Sequence, residues 1–166
     1  MRPELRALAL VVLMAGSASA ETGLGAPVQL GQATLRFLGF DIYTATLHTE
    51  GKPAFDWDQK LSLRIDYARG FTTEELLRGT KTELQRIEGE QPDQPQMLDK
   101  LATCFRDVEA GDTFVALSPT ADTVTLFLNG QQTCSIAHPD LRRRFLGIWL
   151  SPNSRSARLS AQLRGE

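Results

Sequence analysis

The chain is poor in the residues on which most site chemistry is built. It holds two histidines, His48 and His138, and two cysteines, Cys104 and Cys134, in 166 residues. Histidines so few and so far apart do not make a histidine-built metal site, and no metal ligand set is assigned. There is no G-x-S-x-G elbow and no P-loop, which argues against an α/β-hydrolase and against a nucleotide phosphatase of the P-loop type. Gly23-Leu24-Gly25 falls in a terminal stretch and is not a phosphate loop. No cofactor is implied. Charge of one sign is lacking too. A net charge of −2 leaves no basic footprint for nucleic acid. Apolar residues at 42% and charged residues at 23% are ordinary globular usage and exclude low-complexity disorder. One domain is the default at this length.

Long apolar runs are also missing. The longest lies at the start, from Leu5 to Ala15, about half of the ~20 residues a membrane span needs. Arg2 and Arg6 precede it and Ala18-Ser19-Ala20 follows it. Positive region, apolar region and small-residue site in that order read as a secretory signal peptide. The expected layout is a signal peptide over 1–20, an N-terminal tail over 21–29 and a folded domain over 30–166. The mature chain then starts at Glu21, carries no integral membrane segment, and is exported, to the periplasm in a bacterium. Export favours a Cys104–Cys134 disulfide. Two separate buried thiols are the alternative, and their spatial separation decides.

What is present is clear periodicity. Leu30 to Glu50 reads as two strands around Gly39, rich in Thr, Ile, Tyr and Phe. Lys60 to Ala68 alternates, with Leu61, Leu63, Ile65 and Tyr67 on one face and Ser62, Arg64 and Asp66 on the other. Thr72 and Glu75 fit a capping box. The stripe Leu76, Leu77, Thr80, Leu84, Ile87 follows, and Gly89 ends that helix. A second helix is expected over 96–105 and strands over 113–118, 123–128 and 131–136. Asn129-Gly130 is a strong hairpin turn. Helices close the chain, one starting at Pro139 and one over 154–163. Grouped helices and hairpin-joined strands argue an α+β domain with a mostly antiparallel sheet.

Polar residues on apolar strands are the candidate ligand-binding groups: Arg36, Tyr43, Arg64 and Tyr67. An arginine beside a tyrosine can grip a carboxylate through charge-assisted hydrogen bonds. The blander expectation has both tyrosines filling the core with each hydroxyl on one partner. Asp56 and Asp58 read as a surface turn. Successive helical residues point about 100° apart, so Arg142-Arg143-Arg144 cannot focus on one point and reads as a solvated face. Trp149, on an apolar stripe, reads as core.

Several segments resemble the chalcone isomerase-like family. They are Leu35-Arg36-Phe37-Leu38-Gly39-Phe40-Asp41-Ile42-Tyr43-Thr44-Ala45-Thr46-Leu47, Tyr67-Ala68-Arg69 before Thr73-Glu74-Glu75-Leu76, Phe105-Arg106-Asp107-Val108-Glu109-Ala110-Gly111-Asp112, Leu128-Asn129-Gly130 and Phe145-Leu146-Gly147-Ile148-Trp149-Leu150. Together they span nearly all of 30–165, in order, and are most similar to a bacterial exported branch. The resemblance implies an open-faced β-sandwich, an antiparallel sheet with helices over one face. It also implies a cleft between the layers, in which plant relatives hold a flavonoid or a fatty acid. The plant enzyme's threonine, tyrosine and asparagine fall at Leu38, Thr72 and Gly79. Leu38 and Gly79 offer no side-chain hydrogen bond, so chalcone ring closure by the plant route is not expected.

Three functions follow as expectations. The favoured one is a non-catalytic binding protein for a small amphipathic ligand such as a fatty acid, with Arg36 preferred over Arg64 as the anchor. The others are a partner-binding envelope protein with a filled core, and an intramolecular lyase or isomerase with a different polar set. The protein partner and the oligomeric state stay unassigned.

Overall fold

The structure, a computed structural model, describes residues 21–166. The proposed signal peptide lies outside the described residues. Six strands, β1 (Pro27–Phe37), β2 (Phe40–Glu50), β3 (Leu61–Tyr67), β4 (Thr113–Thr120), β5 (Thr123–Leu128) and β6 (Gln131–Ala137), form one sheet. Their order is that of the chain, and every pair is antiparallel. Between β3 and β4 come helices α1 (Thr73–Glu88) and α2 (Gln94–Ala102). After β6 a π-helical turn, Arg142–Leu146, runs into the short α3 (Gly147–Leu150), and α4 (Ala157–Leu163) ends the fold.

The elements form for the reasons their sequences suggest. Thr72 caps α1 through a complete capping box with Glu75, and the Gly89 N–H returns to the Gln85 carbonyl. Asn129 and Gly130 both take positive φ, as a tight hairpin between β5 and β6 demands. On β3, alternation sends Leu61, Leu63 and Ile65 to the helix side, where they pack against Leu47, Ala45, Ala116 and Phe114 of the neighbouring strands. Leu84 of α1, Met97 and Leu101 of α2, and Leu141, Phe145 and Leu150 near the C-terminus close the core from above. This is an open-faced sandwich: helices cover one face of the sheet. Among the described residues no helix is long and apolar enough to cross a membrane.

Three local expectations are corrected. The segment 21–29 is not a loose tail. Leu24 is buried, β1 starts at Pro27, and the Gly25 and Ala26 N–H groups donate to Glu50. Pro139 does not start the third helical segment. Asp140 turns at positive φ, and helical structure begins at Arg142.

The third concerns the arginine triplet, which fans out as expected but is solvated at one of its three members alone. Arg142 is only 3% exposed. Its Nε donates to Ser118 Oγ (2.9 Å), Nη1 to the Trp57 carbonyl (2.7 Å) and Nη2 to the Ser118 carbonyl (3.3 Å). Arg144 makes a two-pronged contact with Glu88 and reaches Asp93, which also meets His138 Nε2 at 2.8 Å. Only Arg143 faces water, over the Trp57 ring. Tertiary carbonyls and carboxylates, invisible in a helical wheel, supply the partners.

Cys104 and Cys134 form a disulfide with Cα atoms 5.1 Å apart. It ties the chain just after α2 to the edge strand β6. Close approach fixes the opposite edge. A Cβ on Gly31 of β1 would stand 2.0 Å from the Gln162 carbonyl and 2.7 Å from that of Leu163, so α4 lies directly on β1 there.

Candidate ligand cavity

The layer between sheet and helices is not completely filled. Ala33, Ala45 and Ala116, inward-facing on β1, β2 and β4, floor a cavity of about 390 Å³. That is within the ~300–1,000 Å³ of ordinary small-molecule sites. Small residues on the floor are one reason for the space. Gly79 is another: midway along α1 it lines the cavity, and an added Cβ would meet nothing within 4 Å. Walls come from Leu76 of α1, Phe145, Trp149 of α3 and Leu159 of α4.

Both tyrosines named from sequence line this space. Tyr43 and Tyr67 are direct cross-strand partners, with rings 6.4 Å apart in an edge-on arrangement. The Tyr43 oxygen accepts a hydrogen bond from Trp149 Nε1 at 3.1 Å. Its own O–H therefore remains free to donate. Tyr67 has no hydroxyl partner among the described residues, so a second phenol O–H is also available. Burial pushes both phenols above their usual range, which keeps them protonated donors. Trp149, read as core, both packs on the core and lines the cavity.

The two arginines named from sequence do not line the cavity. Arg36 follows a register shift after Leu35; its side chain is 68% exposed and pairs with Asp41 at the hairpin end. Alternation puts Leu35 inward and Arg36 outward. Arg64 lies on the opposite face of the sheet, between Thr46 and Val115, held by Asp66 and Glu21.

A different pair supplies the charge. Glu83 of α1 and Arg155, in the loop before α4, line the cavity and are ion-paired through both Nε and Nη2 of the guanidinium. Both share the cavity lining with Tyr43, whose phenol the Glu83 charge affects more than that of Arg155. Arg86 holds Glu83 from the other side (2.9 Å) and donates to the Asn153 carbonyl (2.8 Å), so the Arg155 loop is latched to α1. Burial alone would raise the Glu83 carboxyl. The hydrogen bonds from Arg155 and Arg86 outweigh it and hold the group below its usual value. Glu83 thus stays ionised, held between two arginines of which Arg155 alone shares the cavity lining. The signal for Glu83 was present in the sequence: Leu76, Thr80 and Glu83 lie at spacings of four and three, one face of a helix. Arg155 had none, because a loop carries no period.

The plant enzyme's polar positions do not reassemble here. Leu38 is at the exposed hairpin tip, Thr72 is the N-cap of α1, and Gly79 is bare cavity wall. Among the described residues no group of three or more His, Cys, Asp or Glu is placed to hold a metal ion.

Sequence comparison matches residues 24–165 to the family described as chalcone isomerase-like. The chain belongs to that family. No curated protein sequence matches it. Among solved structures, a fatty-acid binding protein of Arabidopsis thaliana superposes with a TM-score of 0.66 at 11% identity, covering 85% of this chain and 88% of that one. At such identity the likeness shows the chalcone isomerase-like fold alone.

Proposed function

We propose that this chalcone isomerase-like protein is a non-catalytic carrier of a small amphipathic carboxylate, a fatty acid in kind. The observation that carries the proposal is the apolar cavity whose polar lining groups include Arg155 and a free Tyr43 O–H. A carboxylate there would take charge-assisted hydrogen bonds from the arginine and the phenol, while its chain lies over the alanine floor. The solved fatty-acid binding protein of the same fold supports the ligand class. Lining groups with shifted acidity move away from neutrality, Tyr43 and Tyr67 upward and Glu83 downward, so none of them is tuned as an acid or base near pH 7. That argues against an isomerase, and the open space argues against a filled-core scaffold. The signal-like N-terminus adds that the carrier works outside the cytoplasm, with Glu21 as its first residue.

Calorimetric titration with medium- and long-chain fatty acids tests the reading. Binding is expected in the wild type and is weaker in Arg155→Ala and Tyr43→Phe. The arginine loss falls at the low end of the ~1.5–3 kcal/mol of a hydrogen bond to a charged group, because solvent screens a side chain 67% exposed. Arg36→Ala should bind as the wild type does. No binding, or equal binding of the matched fatty alcohols, overturns the proposal.

A further inference from the structure

Among the described residues, the large apolar side chains left exposed are three, and all sit in one four-residue hairpin tip. Phe37 is 65% exposed, Leu38 81% and Phe40 74%, with Gly39 between them. The local chemistry makes this more than an accident of shape. Leu38 has φ +51° and Gly39 φ +85°. A two-residue turn with both φ positive favours Asn-Gly or Gly-Gly, and the same chain uses Asn129-Gly130 between β5 and β6. At the β1–β2 turn it places a leucine in a left-handed conformation that costs an L-residue about 1–2 kcal/mol. A bulky apolar residue thus stands where both turn geometry and water disfavour it, as expected where function overrides local preference.

We infer that the Phe37-Leu38-Gly39-Phe40 tip docks the protein on the surface of a lipid bilayer. Three side chains on a convex hairpin fall far short of the ~800 Å² per partner that a stable protein interface buries, and they offer no recess for a partner's knobs. A bilayer interface needs no matching recess, and it suits aromatic rings in particular. Cations stand where headgroups would lie. Arg36 flanks the tip with its side chain largely in water, paired with Asp41 at 2.6 Å, so it brings hydrogen-bond donors to the headgroups with little net charge. The Ala68 N–H donates to the Ile42 carbonyl at 3.0 Å, bringing Arg69, stacked over Phe71, to the same end of the sheet. Immediately behind the tip, Leu35 and Ile42 line the cavity. Docking therefore sets the cavity wall against the bilayer, the reservoir of any fatty acid. One short tip gives weak, reversible attachment, in keeping with a carrier that must leave again.

The test uses vesicles of phosphatidylcholine with phosphatidylglycerol and no fatty acid, so failure to dock is separable from failure to bind ligand. Wild-type protein should co-sediment, and the double variant Leu38→Asn/Phe40→Ser should partition at least about tenfold less, given the apolar surface withdrawn. Asparagine accepts positive φ, so Leu38→Asn alone should keep or raise the thermal midpoint while weakening attachment, which separates docking from folding. In Phe40→Trp, brominated lipid should quench fluorescence beyond the contribution of the native tryptophans. Co-sedimentation unchanged in the double variant, or no wild-type attachment even to anionic vesicles, overturns the inference. So does tip-dependent self-association without attachment to vesicles, which would assign the tip to a second copy of the chain.

Discussion

Replacing Gly79 tests the cavity without touching its polar end. The residue sits in the interior of α1, where glycine costs roughly 0.5–1 kcal/mol relative to alanine because its unfolded chain has more freedom to lose. Nothing lies within 4 Å of an added Cβ, so no clash offsets the gain. Gly79→Ala should therefore stabilise by about that amount and raise the thermal midpoint by about 1–4 °C, at the ~2–4 °C per kcal/mol of a domain this size. Gly79→Leu should keep most of the helical gain, since leucine is nearly as good a helix former as alanine. Its side chain must then enter the cavity and cover apolar wall. Stability should not fall, but affinity for a fluorescent fatty acid should drop at least tenfold as the chain's place is taken. Scanning calorimetry and displacement titration on the three proteins read both quantities. The reasoning fails if Gly79→Ala is destabilising, for then the space is not open. It fails equally if Gly79→Leu binds fatty acid as tightly as wild type, for then the ligand lies elsewhere.

Three further outcomes are expected. Arg142→Ala should destabilise by about 1–3 kcal/mol for each of the Trp57 and Ser118 acceptors left unpaired; Arg142→Lys should recover little in chemical denaturation, because an ammonium cannot reproduce the guanidinium fork. Removing the disulfide as Cys104→Ala/Cys134→Ala should cost about 3–4 kcal/mol by loop-closure entropy over a separation of 30 residues, and unreduced protein should take up no alkylating agent. The folded Glu83 carboxyl ionises below its unfolded value, so its contribution to stability is complete above the unfolded pKa, about 4.3, and is lost as pH falls through the folded one. The stability gap between wild type and Glu83→Gln should narrow with acidification below about pH 4; a gap that widens there contradicts the ion-pair assignment.

The sheet was largely legible in the sequence because a half-buried strand writes its period into every second residue. Leu61, Leu63 and Ile65 face the helices as expected, and the Thr72–Glu75 box and Asn129-Gly130 turn mark their boundaries within a residue. Tyr43 and Tyr67 were legible as inward residues by the same rule. Applied strictly, the rule also turns Arg36 away from Leu35, so its preference as anchor gave more weight to chemistry than to direction. Arg142 and Arg155 were not legible. One is buried by carbonyls from β4 and the Trp57 loop, and the other reaches the cavity from a loop latched by Arg86. Both depend on contacts across 24 to 85 residues of chain, and no local pattern encodes those.

The contact at Gly31 has a consequence for the order in which the molecule becomes competent. A sheet whose strands pair strictly with their sequence neighbours can assemble progressively as the chain emerges, each strand docking on the one before. The cavity cannot keep that pace. Its floor begins on β1, the first of the described strands, but the helix that seals β1 is the last of the described elements, and it fits only because position 31 lacks a side chain. A chain that stops before α4 would hold a nearly complete sheet with one side of its chamber open. For the carrier proposed above, trimming the chain back past α4 should therefore weaken ligand retention more than it weakens the pairing of the strands.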